Sequence, residues 1–376
     1  MDGSRQQYSR AKRVAAACAL AASGAAALLT AVTLGGDSPA LAESRAAAKR
    51  PPPAGSERRD RRALTINWVG DMALATRYGV PATPSPALLA GVKRDLTGAD
   101  LTIGNLEGTL GTGGVPKCAP GAANCFSFQA PAAYAHLFRD TGFDVMNVAN
   151  NHAYDYGAEG QRQTLDALTA AGIRRAGLPG EITHVRVGDI RVAVVGFAPY
   201  PWAARLEDLP AARDLVAQAE SDADVVLVLM HAGAEGTAAA HTPEGVEMAF
   251  GESRGPTREF AHTVVDAGAD LVLGSGPHVV RGLERYRGRV IAYSLGDFLG
   301  YHTFGLGGAL SESAILRVRL RADGRTAGGR WIPLRLVEPG LPQPDPAAAS
   351  TDTARTLSEE DFGESAIRLD LRGRFR

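Results

Sequence analysis

Apolar residues along this chain fall in short continuous runs, separated by stretches in which they recur every third or fourth position. Leu64-Thr65-Ile66-Asn67-Trp68-Val69, closed by Gly70, is the first such run and reads as a buried strand. Runs at 101–107, 144–149, 191–197, 224–230, 270–274 and 289–295 predict further strands. Helical spacing after Gly157 places Leu165, Leu168 and Ile173 on one face, and after Pro256 it groups Phe260, Val264 and Ala267. Strands without polar alternation need cover on both faces, so the pattern predicts a layered α/β domain with buried sheets. Val185-Arg186-Val187, then Gly188-Asp189, then the run from Ile190 reads as a hairpin, which makes a mixed sheet the expectation. Two more β-like runs, 314–320 and 331–337, follow Leu310. Residues 338–357, rich in Pro, Ala, Asp and Thr, read as an irregular connection to a short segment, Phe362 to Leu371. The folded domain is therefore expected over 63–337, with an irregular extension over 338–376.

The first part of the chain changes the picture. Arg10, Lys12 and Arg13 precede an uncharged, Ala-rich stretch from Val14 to Leu34, and Ala40-Leu41-Ala42 supplies a small-x-small pattern. Residues 1–42 read as a secretory signal peptide or a retained N-terminal anchor. Cys18 lies near the start of the apolar stretch, whereas a lipidated cysteine should follow it. Residues 43–62 form a linker rich in Ala, Pro and Arg. The expected location is secreted or extracytoplasmic, with or without a membrane anchor. Cys118 and Cys125 flank a Pro-Gly turn, and an oxidising compartment permits a disulfide there. Closing so short a loop is worth roughly 2–3 kcal/mol. Lys and Arg number 40 against 41 Asp and Glu, for a net charge of −1, which argues against a nucleic-acid binder working by bulk charge. The local cluster Arg58, Arg59, Arg61 and Arg62 falls in the linker.

Candidate chemistry stands at the C-terminal ends of the strands, the edge at which open α/β sheets bind ligands. The first strand ends in Gly70-Asp71 and the second in Asn105-Leu106-Glu107. The third ends in Asn150-Asn151-His152, followed by Asp155 and Gly157. Later strands end in His231, with Gly233 and Glu235 beyond it, in Gly274-Ser275-Gly276-Pro277-His278, and in Ser294-Leu295-Gly296-Asp297. Any one of these is ordinary turn or cap chemistry. Together they form a set of carboxylate, amide and imidazole donors suited to Mn, Zn or Fe ions. No Gly-x-x-x-x-Gly-Lys-Ser/Thr phosphate loop and no Gly-x-Ser-x-Gly elbow occurs in the chain.

At these residues the sequence resembles the CapA family, named for poly-γ-glutamate capsule biosynthesis, which looks like a branch of the calcineurin-like metallophosphatase superfamily. The resemblance covers about 64–300 and rests on Gly70-Asp71, Asn105-Leu106-Glu107, Ala149-Asn150-Asn151-His152 with Asp155 and Gly157, His231-x-Gly233-x-Glu235, Pro277-His278-Val279 and Tyr293-Ser294-Leu295-Gly296-Asp297-Phe298. It implies a layered β-sandwich flanked by helices, with mixed sheets. It also implies one or two divalent ions held by Asp71, Glu107, Asn151, His231 and His278. His152, with Asp155, would serve as a general acid or electrostatic donor, and Asn105, Glu235 and Asp297 would face substrate. Gly276 stands where the family often has His, Asp297 where Asn is common, and Ala73 where many metallophosphatases place His.

The function this implies is an exported metal-dependent hydrolase acting on an anionic cell-surface polymer or its precursor, with a membrane-bound polymer synthase or export complex as a partner. A non-catalytic polymer-binding or assembly factor and a plain extracytoplasmic phosphoesterase are the alternatives.

Overall fold

The computed structural model describes residues 63–122 and 125–376. The signal or anchor segment and the linker lie outside the described residues. Among those described, no helix is long and apolar enough to cross a membrane.

Two mixed sheets pack face to face. The first opens with β1 (Ala63–Ala73), β2 (Leu101–Leu106), β3 (Val145–Asn147) and β4 (Arg174–Ala176). The second contains β5 (Thr183–Val187), β6 (Ile190–Ala198), β7 (Val225–His231), β8 (Leu271–Ser275), β9 (Leu283–Tyr286) and β10 (Arg289–Ala292). The chain then returns to the first sheet as β11 (Asp297–Gly300), β12 (Glu312–Arg321), β13 (Thr326–Val337) and β14 (Leu341–Pro344). The strand orders are β14-β13-β12-β1-β2-β3-β4, with β11 also pairing β1, and β9-β10-β8-β7-β6-β5. The predicted hairpin is present: Val187 pairs Ile190 across the Gly188-Asp189 turn.

The strand runs are continuous because both faces of each sheet are covered. In β7, Leu227 and Leu229 join the core between the sheets, with Ile66, Trp68, Ile103 and Val194. Their neighbours Val226, Val228 and Met230 face the other way, against Val216 of helix α3 (Leu209–Asp222) and Phe260 of α4 (Thr257–Asp266). The outer face of the first sheet is covered likewise: Met146 and Ile315 pack with Phe138 of α1 (Tyr134–Asp140) and Leu168 of α2 (Gly157–Ala170). The architecture is helix, sheet, sheet, helix. Each fully buried aliphatic side chain contributes about 1.5–3 kcal/mol, which favours apolar residues at most strand positions.

Two expectations need correction. The strand read over 289–295 stops at Ala292; residues 293–296 carry the chain from the second sheet to the first. The extension over 338–376 is not irregular. β14 joins the first sheet, Arg374–Phe375 pairs with β13, and α5 (Ala349–Phe362) lies between them. The reason is that polar side chains dock α5. Ser350 Oγ accepts from Trp331 Nε1 at 3.1 Å, and Ser358 Oγ accepts from the Leu283 amide at 2.8 Å. One helix thereby ties β13 of one sheet to β9 of the other, and its buried face mixes Ala354, Leu357 and Phe362 with Ser350, Thr351 and Ser358, so its apolar periodicity is thin. Asp345 accepts from the amides of Ala347 and Ala349 at 3.1 and 2.9 Å, holding the approach to that helix.

Candidate metal centre

The site forms where the ends of β1, β2, β3, β7 and β8 meet the start of β11. Register brings its residues together. Asp71 pairs with Asn105 on one side and Asp297 on the other, Asn105 pairs with Asn147, and His231 pairs with Ser275. Gly70 makes the β1–β11 contact possible. A Cβ there would lie 1.8 Å from the Gly296 carbonyl oxygen, so only glycine lets the two Gly-Asp pairs lie side by side. Trp68 Nε1 donates to the Gly274 carbonyl at 3.0 Å, locking β1 to β8 just below.

Three imidazoles converge on one carboxylate. The Nε2 atoms of His278, His231 and His152 lie 3.7, 3.8 and 3.9 Å from Glu107 Oε1. Glu107 is fully buried, and neither of its oxygens has a hydrogen-bond partner. His231 Nε2, Asn151 Oδ1 and Asp297 Oδ2 are likewise buried and unpartnered. Asp71 is the opposite case. Its Oδ1 accepts from Asn105 Nδ2 at 2.7 Å and its Oδ2 from the Gly276 amide at 3.0 Å, with His231 and His278 at 3.5 and 3.4 Å. Single donor atoms of Asp71, Glu107 and His278 all lie within 4.8 Å of one another.

Burial pushes the Glu107 carboxyl well above its ordinary value, against the pull of the His278 charge. Burial acts the same way on Asp297, raising it to about 7. For Asp71, burial is outweighed by hydrogen bonds with His231 and His278, and the carboxyl is held below the usual range. Burial alone would lower His278, yet the charges of Glu107 and Asp297 outweigh it and raise this imidazole well above its ordinary value. His231 and His152 are lowered, with burial the main cause. The cluster therefore retains protons at its centre, where a cation would take their place.

Ring orientation follows from the outer partners. His278 Nδ1 sits 2.7 Å from Asp297 Oδ1, which selects the Nδ1–H form and turns Nε2 inward. His278 has φ +59°, a left-handed backbone uncommon outside glycine and one that concentrates at functional sites. His152 Nδ1 sits 2.7 Å from Asp155 Oδ2, and Asp155 is held by Lys117 Nζ at 2.7 Å and by the Phe128 amide at 2.6 Å. The Phe128 ring lies 4.4 Å from the His152 ring. The disulfide Cys118–Cys125 is formed, and it closes the loop between Lys117 and Phe126.

Four of the expected metal residues, Asp71, Glu107, His231 and His278, come together through the distances above, whereas Asn151 lies beside His152 in the wall of the adjoining cavity. His152 and Asp155 form one hydrogen-bonded pair. Asn105 corrects an expectation. It is fully buried, its Oδ1 accepts from Asn147 and Asn150 at 2.9 and 3.2 Å, and its Nδ2 reaches Asp71 Oδ1 at 2.7 Å and His231 Nδ1 at 3.2 Å, so it positions Asp71 and His231. Asp297 stands behind His278 and is 1% exposed. Glu235 does reach open space, at the mouth, with Arg254 Nη2 2.8 Å from its Oε1. Sequence reasoning passed over Asn147, Lys117 and Arg254. Asn147 sits inside the third run as a polar residue among apolar ones, which was a usable signal; Lys117 and Arg254 carry none.

The donors fit a divalent cation. The unpartnered buried oxygens of Glu107 and the unpartnered Nε2 of His231, 3.8 Å from Glu107 Oε1, are costly unless a cation satisfies them. Gly276 limits the set. It has φ +115°, and a Cβ there would meet the backbone of Ala232 at 3.0 and 3.1 Å and His231 Nε2 at 3.3 Å. A histidine at this position would not fit without movement.

The family model described as "Bacterial capsule synthesis protein PGA_cap" matches residues 65–302. The chain is 27% identical over 341 residues to the capsule biosynthesis protein CapA of Bacillus anthracis, covering 83% of this chain and 76% of that protein. It is 27% identical over 282 residues to the PGA biosynthesis protein CapA of Bacillus subtilis, covering 69% of each. Among solved structures it is similar to a 5'-nucleotidase precursor from Thermus thermophilus, at 15% identity and a TM-score of 0.44, over 79% of this chain and 59% of that one.

Proposed function

Given that the chain belongs to the PGA_cap family of bacterial capsule synthesis proteins, we propose that it is an exported, metal-dependent hydrolase acting on an anionic cell-surface polymer or its precursor, with poly-γ-glutamate the first substrate to test. The observation that carries this reading is Glu107: a buried carboxylate without partners, faced by three imidazole nitrogens. The names of the two Bacillus relatives support the polymer class. The N-terminal segment supports export, and a membrane-bound polymer synthase or export complex is the partner that location suggests.

Asp71, Glu107, His231, His278 and Asn151 would hold the cation, with Asp297 orienting His278. Such an ion supplies Lewis acidity and a nucleophilic water at neutral pH. His152 lies beside the centre with Nδ1–H committed to Asp155 and Nε2 facing inward, so it is placed to move a proton at a leaving group. Lys117 keeps Asp155 in place for that task.

Purified protein from metal-replete medium is expected to contain Mn, Zn or Fe, and to shorten poly-γ-glutamate. His152→Ala should lower turnover by about 10²-fold or more, the usual worth of a proton-transfer group. Asp71→Ala should lose both metal and turnover. Equal activity in all three proteins sinks the residue roles. Absence of metal, with neither binding nor thermal stabilisation on adding Mn²⁺ or Zn²⁺, sinks the metal reading. Turnover of phosphodiesters without polymer cleavage moves the protein to the phosphoesterases.

Gly276 favours a second reading, a non-catalytic polymer-binding or assembly factor. It supplies a backbone amide to Asp71 where a side-chain ligand would otherwise add to the centre. Polymer binding that survives Asp71→Ala and chelation supports that alternative.

A further inference from the structure

Two cavities, of about 310 and 230 Å³, meet over the metal centre at His152 and Glu235, and Phe126 and Phe250 line both. The larger is the more polar of the two. It is lined by Lys117, whose Nζ lies 2.7 Å from Asp155 Oδ1 and donates to the Asn151 carbonyl at 3.2 Å, and by Tyr200, Arg254, Glu235 and Glu252. The smaller is walled by Phe128, Phe304 and Leu310, with His278 and Asp297 at its floor. An apolar cavity of about 150 Å³ takes benzene, so the smaller arm holds one ring-sized group and not a long chain.

Phe250 is out of place as a folding residue. It and Gly251 form the two-residue turn between the strands Glu247–Ala249 and Glu252–Gly255, with φ +52° and +81°. Positive φ at both central residues suits Asn-Gly; a bulky residue at the first position is a backbone outlier. Phe250 is also 76% exposed, so no packing in the folded chain offsets that strain. Phe126, 47% exposed and next in the chain to the bridged Cys125, lines the same two cavities. Strain that folding does not repay is expected where a ligand uses it.

We propose that Phe250 and Phe126 are specificity-determining residues that grip an apolar, ring-sized group attached to the reacting linkage, so that the substrate is a junction between an anionic chain and an apolar group. The inference rests on the hydrolase reading for the position of the linkage. The anionic side lies toward Lys117 and the apolar side between Phe128 and Phe304.

The test is calorimetric binding of phenylphosphonate and methylphosphonate to Mn²⁺-loaded protein; neither is hydrolysed, so turnover is not required. Phenylphosphonate should bind about tenfold tighter or more, as expected for burying one ring. Phe250→Asn should collapse that ratio toward one through loss of phenylphosphonate affinity. The melting temperature should hold or rise, because Asn is the better turn residue. Equal affinities in the unmutated protein, no binding of either ligand, or an unchanged ratio in Phe250→Asn overturns the proposal. Polymer turnover is assayed separately. A tenfold ratio that Phe250→Asn removes, in a protein without turnover, would refute the hydrolase and leave the aromatic grip standing.

Discussion

Two buried glutamates, Glu107 and Glu247, answer the same physical problem in opposite ways. Glu247 is 5% exposed, and Arg281, itself fully buried, meets it with two bonds of 3.0 and 2.6 Å. The Ala234 amide adds a third at 2.9 Å, and Arg281 Nε donates to the Ala239 carbonyl at 2.8 Å. Burial alone would push Glu247 up, but these bonds outweigh it and hold the carboxyl below its ordinary value. Glu107 has no such partner, and burial pushes it up. The first carboxylate is finished by the protein and fixes the segment that carries Glu235. The second is left unfinished at the focus of three imidazoles. Incomplete satisfaction, more than burial or charge, separates the candidate site from a structural ion pair.

The sharpest way to break this contrast is Arg281→Met. It leaves Glu247 buried and unpaired, and urea unfolding should show a loss of about 3–5 kcal/mol. A loss below about 1 kcal/mol would mean that the pair contributes nothing the packing does not. Glu107→Gln should behave in the opposite sense. In chelator its stability is expected to match or exceed that of the unmutated protein, because an uncompensated buried carboxyl is gone. The unmutated protein should gain about 2.7 kcal/mol at an Mn²⁺ concentration of about 100 times Kd, and the variant should gain none. A full metal shift in Glu107→Gln would remove Glu107 from the centre.

The disulfide gives a smaller effect. Replacing Cys118 and Cys125 together by Ser should cost about 2 kcal/mol, read by thermal or urea unfolding. The Mn²⁺ shift should persist, since Glu107, His231 and His278 lie outside that loop. Loss of the shift would make the loop part of the centre itself.

The smallest effect is on the pH dependence in chelator, where the two glutamates have opposite signs. Glu247 has a depressed folded pKa, so its contribution is present above its unfolded value and is lost as pH falls through the folded one. Glu107 has a raised folded pKa. Between the unfolded and folded values the native state binds the extra proton, and stability falls as pH rises. Removing Glu107 with Gln should therefore flatten a decline above the ordinary carboxylate range. Removing Glu247 together with Arg281 should flatten an acid-side loss. Stability–pH curves that move together in both variants would contradict the assignment.

Much of this is legible in the residues alone. The runs at 64–70, 101–107 and 224–230 are strands because both faces of each sheet are covered, and apolar continuity records that cover directly. Gly70-Asp71 and Gly296-Asp297 are visible as strand-end pairs. Their contact is not, because it depends on parallel pairing of β1 with β11 across a long insertion. Helix α5 is hidden for a different reason: serine hydroxyls dock it at both ends, and hydroxyls leave no periodic signal. Asn105 stands out as a polar residue at an edge, but its amide is consumed by four neighbours supplied by β1, β3, the turn after β3 and β7.

By itself, then, the sequence determined the layered α/β class, the strand ends that carry Asp, Glu, Asn and His, the hairpin at 183–197 and the short cysteine loop. These are local or periodic properties, written in residues close along the chain. Only the tertiary structure decided which carboxylate is satisfied and which is left open, which nitrogen of His278 and His152 faces inward, and that Phe126 and Phe250 line the same two cavities. Those outcomes depend on distances between residues far apart in sequence, and such distances are set by the packing of two sheets, which no single run of residues specifies.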